Sequence, residues 1–227
     1  MSERAIDRET IEIVEGEESF ADRAYRGIEE LIVSLQVEPG AILTEQGLSA
    51  MLGLGRTPIR EALQRLAREH LVVIMPRRGI RVTEMRVAEQ LKVLEVRREL
   101  ERYVAVSAAR RTTPEEKARF VEMAGLMTEA AARGDEVSFL RLDREFNVFT
   151  AQCARNAYAE AAIAPLHALS RRFWTLHLHQ AGGLPQAAAV HAAIMRAIAA
   201  SDEAAAAQAT DRLLDWARDF TAKTEVP

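Results

Sequence analysis

Apolar residues recur at Ala24, Ile28, Leu31, Ile32 and Leu35, the spacing of three and four that lines one side of a helix. The pattern predicts a first helix over residues 21–36, stopped by Pro39-Gly40. Thr44 stands ahead of a short periodic stretch, Glu45 to Leu52, and Thr57-Pro58 ahead of another that runs to about Glu69. A hydroxyl at the cap and a proline at the first helical position are start signals, so Thr57 is expected to cap the third helix. Only Gly53-Leu54-Gly55-Arg56 lies between the two stretches, a tight glycine-containing turn that makes a helix-turn-helix. Leu71 to Met75 and Ile80 to Val82 are β-prone runs on either side of Pro76-Arg77-Arg78-Gly79, and predict a hairpin that would form a wing.

After Glu84 no strand signal returns. Proline, glycine and threonine punctuation divides the remainder into six helices, over residues 87–111, 114–132, 135–154, 158–180, 185–200 and 202–223. Pro165 is expected to break or kink the fourth of these. The fold class is therefore mostly α, with a winged helix-turn-helix over residues 21–84 and an all-helical bundle over residues 87–224. Composition agrees, since 48% of the 227 residues are hydrophobic but only 5% aromatic, and the length suits two domains. The single cysteine, Cys153, offers no intrachain disulfide, and neither an apolar leader nor a membrane-length apolar run is present, so a soluble cytoplasmic protein without a membrane partner is expected.

Charge changes this picture only when divided along the chain. The net charge is -4, yet residues 1–20 carry two arginines against seven acids, an acidic segment expected to be a flexible tail. Residues 56–86 carry eight arginines against three glutamates. A basic segment within an acidic protein can be a footprint for nucleic-acid phosphate, with a solvated face as the plain alternative for a charge run alone. At the head of the third helix, Arg56 and Arg60 are one turn apart with Thr57 between them, while Ile59, Leu63 and Leu66 face inward. Guanidinium forks suit guanine edges and phosphates, and Arg60 is the candidate for direct base contact. Arg65 and Arg68 read as phosphate contacts or, more simply, as a solvated surface. At the wing, Arg77 and Arg78 stand beside Gly79, whose missing side chain permits close approach to a sugar-phosphate backbone.

Pro39-Gly40, Leu43-Thr44-Glu45, Leu48, Leu52-Gly53, the run Arg56-Thr57-Pro58-Ile59-Arg60-Glu61-Ala62-Leu63, Leu66 and Pro76-Arg77-Arg78-Gly79 resemble the winged helix of the GntR family of bacterial regulators. The resemblance implies a symmetric homodimer that sets two recognition helices in successive major grooves of a palindromic double-stranded operator. It further implies DNA contacts at Arg56, Thr57, Arg60 and Gly79, with Gln46 and Arg78 as additional candidates. Gln46 stands where arginine is frequent in the family, and Gly55 stands where Ser or Thr is usual, which affects the operator sequence rather than the class.

The later half resembles the helical FCD domain of the FadR branch, through Arg97-x-x-Leu100-Glu101, Asp143-x-x-Phe146-Asn147, Asn156, His191-x-x-Ile194 and Asp202. Members of that branch bind a small effector, and many hold a divalent metal such as Zn, Ni or Mn through one aspartate and three histidines. Here the implied set reduces to Asp143 and His191, because Asn147 replaces one histidine and the last falls near Leu213. Two good ligands and a weak amide make a poor transition-metal site, and His167, His177 and His179 are read as packing or surface residues that could compensate. Effector binding is assigned to Arg97, Asp143, Asn147, Arg171 and His191, with the guanidinium groups gripping the carboxylate of a small organic acid. An Arg97–Glu101 salt bridge is the plain alternative for Arg97. Phe146, Phe173 and Trp174 are expected in the core.

The sequence thus points to a DNA-binding transcription regulator, a repressor by expectation and not an enzyme, whose operator affinity is set by a carboxylate metabolite. Two rival readings stand beside it. One is an architectural DNA-binding protein without an effector; the other is a metal-dependent enzyme using Asp143 and His191. The second has no neighbouring general base and no phosphate-cradling glycine motif in its favour.

Overall fold

The computed structural model describes residues 18–177 and 183–224. Most of the expected acidic tail, and His179 with the end of the expected 158–180 helix, lie outside the described residues. The chain opens with helix α1 (Phe20–Val33), whose N-cap Ser19 accepts a hydrogen bond from the Asp22 amide. Strand β1 (Ile42–Leu43) follows, then α2 (Glu45–Leu52) and α3 (Arg56–Arg68). Thr44 caps α2, and Gly53 ends it in the left-handed region at φ +65°, a conformation that glycine enters without the Cβ clash.

Strands β2 (Val72–Met75) and β3 (Gly79–Val82) form the expected hairpin. The sheet has a third member, since β1 pairs antiparallel with β3, Ile42 opposite Arg81 and Leu43 opposite Ile80. No alternation announces a two-residue strand. At the hairpin tip the Arg78 amide donates to the Met75 carbonyl at 3.0 Å, with Pro76 second in the turn and Arg77 at φ +62°. A positive φ at the third turn position is the type II geometry that usually calls for glycine. Gly79 itself sits at φ +94°, and a Cβ there would lie 2.8 Å from the Leu43 carbonyl oxygen. The glycine is thus demanded by the β1–β3 pairing, a requirement separate from any approach to DNA.

Six helices complete the described chain: α4 (Val87–Arg111), α5 (Pro114–Ala132), α6 (Glu136–Cys153), α7 (Ala157–His177), α8 (Leu184–Ala199) and α9 (Glu203–Lys223). The start of α5 is fixed by a capping box, Thr113 and Glu116 each bonding to the other's backbone amide, which satisfies two orphan donors at once. Pro165 neither breaks α7 nor shortens it. A proline removes one ladder bond, and the packing of α7 against α1, α4 and α6 outweighs that loss.

Two cores result. One joins Ile28, Ile32, Ile59, Leu63, Leu66 and Val82 of the winged half. The other joins Phe120, Met123, Met127, Phe146, Ile194 and Met195 of the helical half. Helix α7 belongs to both halves, since Ala168 is buried in the winged-helix core. Its next turn adds polar ties: Arg171 donates to Glu29 of α1 at 3.3 Å, and Arg172 donates to the Thr83 hydroxyl at 3.1 Å. From α6, Arg144 reaches Glu30 of α1 at 2.7 Å.

Candidate functional site

The candidate reader face is built on the start of α3. The helix begins one residue before Thr57, so Gly55 is its N-cap, without a side-chain cap bond, and Thr57 is not the cap. The physical reason is that Arg56 already has helical geometry, with the Ile59 amide bonding back to the Gly55 carbonyl at 3.4 Å. The consequence is that the first-turn amides of Arg56 and Thr57 and the Thr57 hydroxyl are left for an outside acceptor. Arg56, Thr57 and Arg60 are exposed, as are Gln46 on α2 and Arg78 on the wing.

Arg60 is not idle. Its Nε and Nη2 donate to the two Glu45 carboxylate oxygens at 3.0 and 2.9 Å. This fork, helped by the charges of Arg60 and Arg56, holds the Glu45 carboxyl below the usual range against the opposing push of burial. Both partners are well exposed, at 62% and 33% of their side chains, so the pair is cheap to exchange for a base or phosphate. Arg65 faces elsewhere: its guanidinium lies 3.7 Å from the Tyr25 ring centroid and bonds to Glu69 at 3.1 Å. It braces α3 against α1.

In the helical half, the residues expected to bind an effector converge. Arg97 of α4, Asp143 and Asn147 of α6, Arg171 of α7 and His191 of α8 all line one cavity. His167, Ser170, Trp174 and Trp216 complete its polar and aromatic walls, and Leu213 stands there too. Trp174 packs on the core as expected, but it also forms part of this wall, stacked on Trp216 at 4.8 Å and on Phe220 at 4.4 Å. About 30 Å³ of the cavity is open to the centre of a water molecule, room for a couple of waters.

The charges around it are already paired. Arg97 donates to Glu101 at 2.5 Å and His167 meets the same carboxylate oxygen at 3.2 Å. Burial pushes the Glu101 carboxyl up, but the Arg97 guanidinium and His167 outweigh it and bring it down to about 2. His191 faces an acceptor at each ring nitrogen, the Ala187 carbonyl at 2.7 Å from Nδ1 and the Asp143 carboxylate at 3.0 Å from Nε2. Two acceptors want two protons, so the geometry favours imidazolium. Burial opposes that charge, but the hydrogen bond and charge of Asp143 raise the His191 pKa overall. Asp143 is shifted the other way: burial pushes it up, and His191 with the charges of Arg97 and His167 lowers it. The Asn147 amide nitrogen donates to Asp143 at 3.2 Å, and its oxygen is only a weak ligand for a transition metal.

Among the described residues, no group of three or more His, Cys, Asp or Glu side chains is placed to hold a metal ion. Leu213 in the wall supplies no donor. Of the implied ligand set only Asp143 and His191 are present, and His167 in the same wall meets Glu101 at 3.2 Å instead of joining them, so the donors do not fit a four-coordinate transition metal. Sequence reasoning missed Trp216, whose place in the wall depends on how α9 meets α7 and α8, and Ser170, whose hydroxyl accepts from Gln90 at 3.0 Å. Neither carries a local signal.

A winged helix with a cationic reading face, joined to a helical domain around a charged cavity, defines a class of one-chain regulators. Residues 20–82 match the bacterial regulatory proteins of the gntR family and residues 92–215 match the FCD domain, and the chain belongs to this family. The HTH-type transcriptional regulator McbR of Escherichia coli is 29% identical over 112 residues, 49% of this chain and 51% of that protein. An HTH-type transcriptional regulator from Agrobacterium vitis is 31% identical over 135 residues, covering 58% of this chain and 78% of its own. The HTH-type transcriptional repressor RspR of Escherichia coli is 29% identical over 130 residues, 57% of either chain. The chain thus aligns with about half the length of McbR and RspR. The solved structure of McbR shares the fold, with a TM-score of 0.80 at 19% identity over 91% of this chain and 99% of that one. Among the described residues no helix is long and apolar enough to cross a membrane.

Proposed function

We propose that the protein is a transcription regulator that binds double-stranded operator DNA through α3 and the wing, and that a small organic acid in the helical cavity sets its affinity. The observation that carries this reading is the convergence of Arg97, Arg171 and His191 on one cavity whose wall is also tied to the winged half through Arg171 and Glu29. Three cationic side chains around one space suit a carboxylate. Both arginines hold protein carboxylates, so an acid enters by exchange: it takes Arg97 from Glu101 or Arg171 from Glu29. The second exchange loosens α1 from α7, which gives ligand and DNA different preferences for the two arrangements, as coupling requires.

On the DNA side, Arg60 leaves Glu45 for a guanine edge or phosphate, Arg56 and the first-turn amides of α3 hold phosphate, and Gln46, Arg78 and Gly79 flank the contact. One α3 reads one half-site, so the reading calls for a homodimer and an inverted-repeat operator. Repression is inferred from the name of the relative RspR. The chemistry assigned to the cavity is binding alone, so no catalytic role is proposed.

The test is DNA selection from random duplexes with the full chain, followed by anisotropy titration of the selected duplex at several salt concentrations. A steep fall of affinity with salt is expected, together with a loss of between about tenfold and a hundredfold in Arg60→Ala. Equal affinity in parent and Arg60→Ala would remove α3 as the reader, and an absence of any selected consensus would favour an architectural role.

A further inference from the structure

The residue after Arg171 is unexplained by the function above. Arg172 is 2% exposed, yet among the described residues its guanidinium meets no carboxylate. Nη2 donates to the Thr83 hydroxyl at 3.1 Å and to the Glu84 carbonyl at 3.4 Å, while Nε and Nη1 have no hydrogen-bond partner. A buried cation without a counter-charge is costly. Burial alone draws its pKa down to about 10.

Arg172 lines a cavity between the two halves, walled by His70, Thr83 and Glu84 from the winged side and by Gln90, Val93 and Leu169 from the helical side. About 300 Å³ of it is open to the centre of a water molecule, against about 30 Å³ in the cavity of the helical half. The two carboxylates at its rim are engaged elsewhere, Glu84 with Arg86 at 2.6 Å and Glu89 with Lys92 at 2.8 Å. Neither neutralises Arg172. Met85, Val93, Leu169 and Phe173 give the same space apolar walls.

We propose that this junction is a second ligand site, in which Arg172 holds the anionic group of an organic acid whose apolar body lies over Met85, Val93 and Leu169. The site is distinct from the cavity of Arg97, Arg171 and His191. Its ligand touches both halves at once, because Thr83 opens the linker of residues 83–86 that follows strand β3 and Arg172 belongs to α7. Occupation therefore ties the winged helix to the helical domain at the linker.

The test uses the full chain with hexanoate, benzoate and inorganic phosphate as probes, read by thermal shift and isothermal titration. Four proteins are compared: the parent, Arg172→Met, Val93→Phe and the double variant Arg97→Gln with Glu101→Gln, which removes one charge of each sign from the other cavity. Hexanoate or benzoate is expected to show a binding component in the parent that the double variant keeps and that Arg172→Met and Val93→Phe each weaken about tenfold or more. Val93→Phe fills the cavity and leaves the arginine in place, so the result does not hang on whether Arg172→Met folds. Affinity kept in Arg172→Met and Val93→Phe but lost in the double variant would overturn the junction site and leave the proposed effector cavity standing. Binding of inorganic phosphate as tight as that of hexanoate would overturn the role of the apolar walls. Stability indifferent to every probe would overturn the proposal, and its rise with protein concentration would assign the missing counter-charge to a second copy of the chain.

Discussion

The two halves of the molecule use arginine in opposite ways. On the reader face, Arg60 is 62% exposed at its side chain and holds Glu45 in water, where a pair contributes little and exchanges freely. Around the helical cavity, Arg97 is 8% exposed and holds a Glu101 that is 10% exposed, where desolvation makes an unpaired charge expensive. The difference teaches how one residue type serves two tasks. An exposed guanidinium is a loose tool that will take whichever base or phosphate is presented. A buried one is a fixed position with a resident carboxylate, and only another carboxylate in the same geometry replaces it without leaving a charge stranded. The proposed preference of the cavity for an acid rests on that cost.

The largest expected effect tests the buried side of the contrast. Arg97→Ala leaves the buried Glu101 with His167 alone and is expected to cost about 3 kcal/mol in chemical denaturation, whereas Arg60→Ala is expected to leave the denaturation midpoint where it is. Equal losses in the two variants would break the comparison. Next in size is Gly79→Ala on the wing. The substitution meets φ +94° and a backbone oxygen 2.8 Å away, and about 1–3 kcal/mol of local strain is expected. Faster amide exchange confined to β1 and β3 would confirm it, and unchanged exchange would show that the wing tolerates a side chain.

The pH dependence sharpens the comparison further, with a smaller effect. The His191 pKa is raised above its ordinary 6.5, so its contribution to stability is full below 6.5 and fades as pH rises through the raised value. Glu101 works in the opposite direction: lowered from 4.5 to about 2, it contributes fully above 4.5 and loses that contribution as pH falls toward 2. Denaturation midpoints of the parent and His191→Gln are expected to converge on the alkaline side. A constant gap across neutral pH would mean that His191 does not carry the proton its two acceptors call for.

Much of this was legible in the chain. The bounds of α2, α4 and α5 follow from Thr44, Gly53 and the Thr113-Pro114 start, because capping chemistry is local. All five residues assigned to effector binding line one cavity, because helical spacing and the family likeness together put their side chains on inward faces. What escaped was tertiary in origin. Thr57 has the residue type of a cap, yet Arg56 enters the helix before it. Pro165 has the residue type of a breaker, yet neighbouring helices hold α7 continuous. Arg172 carries no local signal that sets it apart from Arg171, and only the meeting of α7 with residues 83–86 buries it without a counter-charge among the described residues.

Acid in the helical half and DNA on α3 are proposed to be coupled, and operator titration with and without the acid measures that coupling. With an acid chosen by its stabilisation of the parent, the affinity for the selected duplex is expected to change by a factor of about 5 to 150, and the change is expected to vanish in Glu29→Gln, which removes the carboxylate that competes for Arg171. An affinity that ignores the acid in the parent, or a shift that survives in full in Glu29→Gln, would contradict the account.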